Sequence, residues 1–178
     1  MKLTSFLFFL LNSFICFSQI YITRDAEIYF LSDADALEII EAKNSQVSAV
    51  IDLNNKKIAF QVPLRGFNFK ISLMEEHFNE NYVESDKFPN ATFIGFYQEN
   101  LDDLFSKKNI EINGEMDFHG IKKKMKIRAS FKKSGEIIEG ISEFNLLCSD
   151  YNIKIPKIVS NKINNTVNVK VNAKFKKK

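Results

Sequence analysis

The sequence predicts an all-β protein whose strands pair antiparallel, closed into a barrel or folded into a sandwich. Three observations predict it. Apolar residues recur at every second position in run after run, as they do when successive side chains face a core and water in turn. Turn-forming pairs separate the runs. Stretches with helical spacing are few and short. The 178 residues fit one domain and suffice to bury a sizeable core.

The first segment does not belong to the fold. Lys2 is followed by an apolar stretch over residues 3–17, broken by Thr4, Ser5, Asn12 and Ser13, and the small residues Cys16 and Ser18 stand at −3 and −1 of a cut before Gln19. This is the layout of a secretory signal peptide, and the stretch is shorter than the roughly 20 apolar residues of a membrane span. The expectation is a signal peptide over residues 1–18 and a folded domain over 19–178, periplasmic or secreted. An acylated Cys16 is the alternative, which the bulky Phe14 and Ile15 fit poorly. Once Cys16 is removed, Cys148 has no cysteine to pair with. His77 and His119 are the only histidines. Neither a thiolate zinc site nor a His-rich metal site is expected.

Residues 34–41 read as a short helix capped by Ser32 or Asp33. A strand over 47–53 turns at Asn54-Asn55 into a second, where Ile58, Phe60, Val62 and Leu64 alternate with Lys57, Ala59 and Gln61. Phe67, Phe69 and Ile71 alternate with Asn68 and Lys70 in a third. Residues 73–82 place Leu73, His77 and, less regularly, Phe78 and Tyr82 at helical spacing, ahead of a stop at Phe88-Pro89. Phe93 lies in a further strand, and residues 101–105 form one more helical turn. Ile110, Ile112, Met116 and Phe118 then alternate with Glu111, Asn113, Glu115 and Asp117. The His119-Gly120 turn leads to Met125, Ile127, Ala129 and Phe131, which alternate with Lys124, Lys126, Arg128 and Ser130. Ser134-Gly135 leads to a strand over 137–144, and Val167, Val169, Val171, Ala173 and Phe175 mark the last.

Catalytic constellations are missing. There is no Gly-rich phosphate loop and no nucleophile elbow, and Glu111, Glu115 and Asp117 fall on a wet strand face. Nothing in the sequence supports pairing Cys148 with either histidine, and a thiol in apolar surroundings is usually inert packing. His119 suits a turn-shaping role, and His77 is a candidate for a pocket mouth. Asn90 and Asn164 open glycosylation-like triplets, a short pattern that carries little weight by itself. A formal charge of +3 does not argue for nucleic acid. The lysines over 122–126 and 174–178 read as solvated, with a headgroup or phosphate contact as the alternative. No enzyme and no cofactor are expected.

The aromatics say more. Thirteen of 18 Phe lie beyond residue 18. Alternation turns Phe60, Val62, Phe67, Phe69, Phe93, Met116, Phe118, Ile127, Phe144 and Val169 inward, with Met74 and Phe78 covering one end. An eight-stranded barrel can be packed solid or can hold one ligand, and composition does not choose between these.

Three stretches resemble the YceI-like family of lipid-binding proteins: FQVPLRGFNFKISLMEEHFNENYVESDKFPNATFIG from Phe60, GEMDFHGIKKKMKI from Gly114, and FNLLCSDYNIKIPKIV from Phe144, with its Asp150, Tyr151, Ile153 and Pro156. Lys122 stands where a Thr often follows the His-Gly turn, and Cys148 is no hallmark of the family. The resemblance implies an eight-stranded, lipocalin-like antiparallel barrel with one or two short helices, exported, holding a polyisoprenoid or similar long-chain lipid in an apolar tunnel. The twelve inward and end-covering residues are then candidate lipid contacts. A packed structural or partner-binding module without a lipid is the alternative.

Overall fold

The computed structural model describes residues 19–32, 39–155 and 164–178. The stretch expected to be a signal peptide, residues 34–38 of the first helix expected from the sequence, and Pro156 fall outside them. Nine strands form one antiparallel sheet: β1 (Ile20–Ser32), β2 (Ile40–Asp52), β3 (Lys57–Pro63), β4 (Phe67–Phe69), β5 (Asn90–Phe96), β6 (Ile110–Phe118), β7 (Ile121–Ser134), β8 (Ile137–Leu147) and β9 (Thr166–Lys177). Eight of them run in the order β1-β9-β8-β7-β6-β5-β3-β2, and β2 pairs back onto β1, so the barrel is closed. The short β4 pairs with β2 through Ala42 and Phe69 and extends the wall past the end of β3.

Each of these eight strands pairs on both sides, although β7 and β8 meet only from Ala129–Ser142 down to Ser134–Ile137, and closure gives the barrel two unlike ends. The base carries the Asn54-Asn55 turn, the turn at Gly135 and helix α2 (Leu101–Ser106). Asp52 Oδ1 accepts the backbone N–H groups of Asn54 and Asn55, each at 3.0 Å, which fixes the first turn. Asn100 caps α2 by accepting the N–H of Asp103 at 2.9 Å, and Leu104 drives into the barrel floor. The mouth carries the end of β1 at Ser32, the start of β2 at Ile40, helix α1 (Ser72–His77), the His119-Gly120 turn and residues 148–155. The helix expected over 73–82 forms as α1 followed by a wider helical turn over Phe78–Tyr82.

Three expectations change, and one strand that the sequence left unread, β1, forms. Ile40 and Glu41, placed in a helix by the sequence, open β2. β1 escaped the period-two pattern because its inward parity flips: Tyr21 and Thr23 are buried, then Ala26 and Ile28. Pairing with β2 slips between Thr23 and Ala26 and again between Ala26 and Ile28, as a bulge requires. β2 flips in step, burying Ala42 and Asn44, then Val47, Ala49 and Ile51. Leu64 leaves the strand for a 3-10 turn (Leu64–Gly66) that docks its N–H on the Pro89 carbonyl at 2.9 Å. Ile71 lies beyond β4 and is 41% exposed, at the open rim of the barrel's interior cavity.

The fully buried Asn44 explains that turn. Its Nδ2 donates to the Pro63 carbonyl at 2.7 Å and its Oδ1 accepts from the Gln46 N–H at 2.8 Å. A Cβ on Gly66 would lie 2.8 Å from the same amide, so only glycine fits there.

Candidate functional site

The interior is filled at the base and hollow toward the mouth. At the base, Phe175, Ile138, Ile110, Ile112, Leu104 and Ile51 are at most 1% exposed. This packing is that of an ordinary core. Above it lies a cavity of about 490 Å³ that opens at the mouth, within the roughly 300–1,000 Å³ range of small-molecule sites. The choice between a solid and a hollow barrel is therefore resolved by level, with each description true of one end.

Nine of the twelve candidate residues line this cavity: Val62, Phe67, Phe69, Met74, Phe78, Met116, Phe118, Phe144 and Val169. The other three, Phe60, Phe93 and Ile127, lie deeper, around a second cavity of about 70 Å³. Alternation finds inward residues but not their height along the barrel, so it placed them with the rest.

Several wall residues were not legible in the sequence. Phe30 on β1 packs its ring against Phe67, Phe69 and Phe78 at 5.3, 5.7 and 5.6 Å, and these four rings form one wall. Its spacing from Ile28 was the available signal, masked by the bulge. Leu146, Val167 and Ile153 also line the cavity; Val167 belongs to the alternation already read in β9, and Leu146 continues that of β8.

Polar groups are sparse and confined to the rim or already partnered. The Ser32 hydroxyl accepts the Asn164 N–H at 2.9 Å. His77, at the end of α1, and Tyr82 line the outer part, and burial holds the Tyr82 phenol above its usual range. Cys148 lines the wall, and burial pushes its thiol up to about 11, which keeps it protonated at neutral pH. Among the described residues no group of three His, Cys, Asp or Glu side chains is placed to hold a metal.

His119 does shape its turn, and it does more. Its Nδ1 lies 2.8 Å from the Tyr151 carbonyl and its Nε2 2.8 Å from Glu84 Oε2. The ring is buried and packs edge-on to Phe88 at 4.8 Å. Gly120 adopts φ +73°, and a Cβ there would strike Phe88 at 2.6 Å. The turn thus ties together three segments that each carry cavity wall: Val83 beside Glu84, Phe118 beside His119, and Ile153 beyond Tyr151.

A small closed antiparallel barrel with an apolar cavity open at one end defines a class of protein that encloses a ligand inside its sheet. Within that class, the family model for the YceI-like domain matches residues 25–175, and the chain belongs to this family. Solved structures agree on the fold. A polyisoprenoid-binding domain from Saccharophagus degradans, implicated in plant cell wall breakdown, superposes with a TM-score of 0.72 at 13% identity, over 90% of this chain and 99% of that one. Burkholderia cenocepacia BcnA superposes with a TM-score of 0.71 at 11% identity, over 84% and 95%. The Campylobacter jejuni YceI protein gives 0.65 at 16%, over 82% and 91%. No curated protein sequence matches the chain significantly.

Proposed function

We propose that this protein is exported and encloses one long apolar lipid, a polyisoprenoid or similar chain, as a carrier or sequestering protein that makes and breaks no bond. The observation that carries the reading is the apolar cavity of about 490 Å³ leading from the mouth to a packed floor. Each CH₂ group buried there gains about 0.8 kcal/mol, so a long chain needs little polar help. What polar help exists, at His77 and Tyr82, stands at the rim where a headgroup meets water. Membership of the YceI-like family supports the reading, as does a structural neighbour described as polyisoprenoid-binding. The signal-like residues 1–18 support export.

One preparation tests both parts. Protein from the exported fraction is weighed intact and extracted with organic solvent, and the extract is analysed by mass spectrometry. The expected result is a chain beginning at Gln19 and one equivalent of a long-chain lipid. A lipid-free protein, or one retaining an acylated Cys16, contradicts the respective part.

A further inference from the structure

We propose that a collar of five side chains, Ile28, Val62, Ala91, Met116 and Phe144, sets the length of chain the barrel accepts, passing only the terminal segment of a single, slim apolar tail. The inference rests on the lipid-binding reading above and goes on to the shape of the lipid.

These five are shared by the walls of the two cavities. They come from β1, β3, β5, β6 and β8, and so encircle the lumen between the mouth chamber and the deep chamber. The two chambers differ in chemistry. The mouth chamber holds His77 and Tyr82, whereas the Ser142 hydroxyl beside the deep one donates to the Arg128 carbonyl at 2.8 Å. A headgroup therefore stays at the mouth, and the tail enters first.

The deep chamber rests on a close-packed floor. Phe93, Phe131 and Phe175 bound it at 5%, 5% and 0% exposure. A Cβ on Gly140 would already meet Phe131 at 2.9 Å and Phe175 at 3.5 Å, so the floor has little room to retreat. The chamber's volume of about 70 Å³ is a small fraction of the mouth chamber's, about 490 Å³, so it takes only the short end of a slim chain. A second tail or a bulky ring end does not fit.

Within the collar, Ala91 is the smallest member and leaves the gap, while the flexible Met116 conforms to whatever fills it. Enlarging Ala91 closes the passage, and shortening Met116 widens it.

The test uses the delipidated protein and linear all-trans prenyl alcohols of two, three, four, six and eight units, with affinities read by displacement of a fluorescent probe. For wild type, affinity rises with each unit until the chain spans both chambers and then levels off. In Ala91→Leu the plateau arrives earlier, and affinity for the longest alcohols falls at least about tenfold, with the two-unit alcohol unaffected. Met116→Ala moves the plateau to longer chains. Ala91→Val is the milder narrowing if the leucine variant does not fold. Folded variants that keep the wild-type plateau overturn the collar while leaving the lipid reading intact. A wild type that binds no alcohol of any length overturns the lipid reading, and the collar with it.

Discussion

Cys148 illustrates how a residue can line a ligand cavity without chemistry. It is 8% exposed, and desolvation holds its thiol at about 11. Thiolate, the reactive form, accumulates only as pH rises toward that value. Iodoacetamide at pH 7.5 is therefore expected to alkylate the folded protein at least about tenfold more slowly than the urea-unfolded chain, with the difference narrowing as pH is raised. Equal rates would show the wall to be open to water. His119 makes the opposite case, a residue off the cavity wall that holds the wall together. Its left-handed φ of +52° is one that few side chains adopt readily. His119→Ala removes the links to Tyr151 and Glu84 and leaves a buried carbonyl unpartnered. The expected cost is about 1–3 kcal/mol, seen as a lower melting temperature and faster loss of bound lipid. Glu84 is 43% exposed, so its share of that cost is the smaller. An unchanged melting temperature and lipid off-rate would mean the turn is held by Phe88 alone.

The elements divide between base and mouth, and each end has a representative phenylalanine. Phe175 on β9 is fully buried at the base and meets Phe60 at 6.3 Å. Phe118 on β6 is half-buried on the cavity wall and meets Tyr151 at 5.3 Å. Phe175→Ala removes a fully buried ring from the close-packed floor of the barrel and is expected to cost about 3–5 kcal/mol. Phe118→Ala enlarges an existing cavity, so denaturant unfolding of the delipidated protein should show a smaller loss, with the main effect on lipid retention. Equal losses would mean the hollow closes when no ligand is present.

The same elements show what alternation reveals and what it hides. β6, β7 and β9 keep strict period two and were legible from end to end. β1 was not, because two register slips against β2 reverse its inward parity. The α1 segment was legible from Leu73, His77 and Tyr82. The interruption at Leu64 was not, because it depends on Asn44, far away in sequence. Seven cavity-wall residues followed from parity, and Met74 and Phe78 from the helical segment that covers one end. Their separation from Phe60, Phe93 and Ile127 depends on height in the barrel, which strand register sets and sequence period does not.

Across the molecule, a closed barrel keeps its base packed for stability and its mouth hollow for the lipid proposed to fill it. The hollow end forgoes packing that the ligand supplies, so binding and stability must be linked. A ligand that binds only the folded chain, at about 100 times its dissociation constant, adds about 2.7 kcal/mol, and in a chain of this length each kcal/mol raises the melting temperature by about 2–4 °C. The most direct measurement is the melting temperature of the delipidated protein, taken with and without lipid recovered by extraction. The account predicts a saturable rise of roughly 5–10 °C at that excess. No rise at any concentration of extracted lipid or long prenyl alcohol would contradict it and leave a barrel whose cavity holds no lipid.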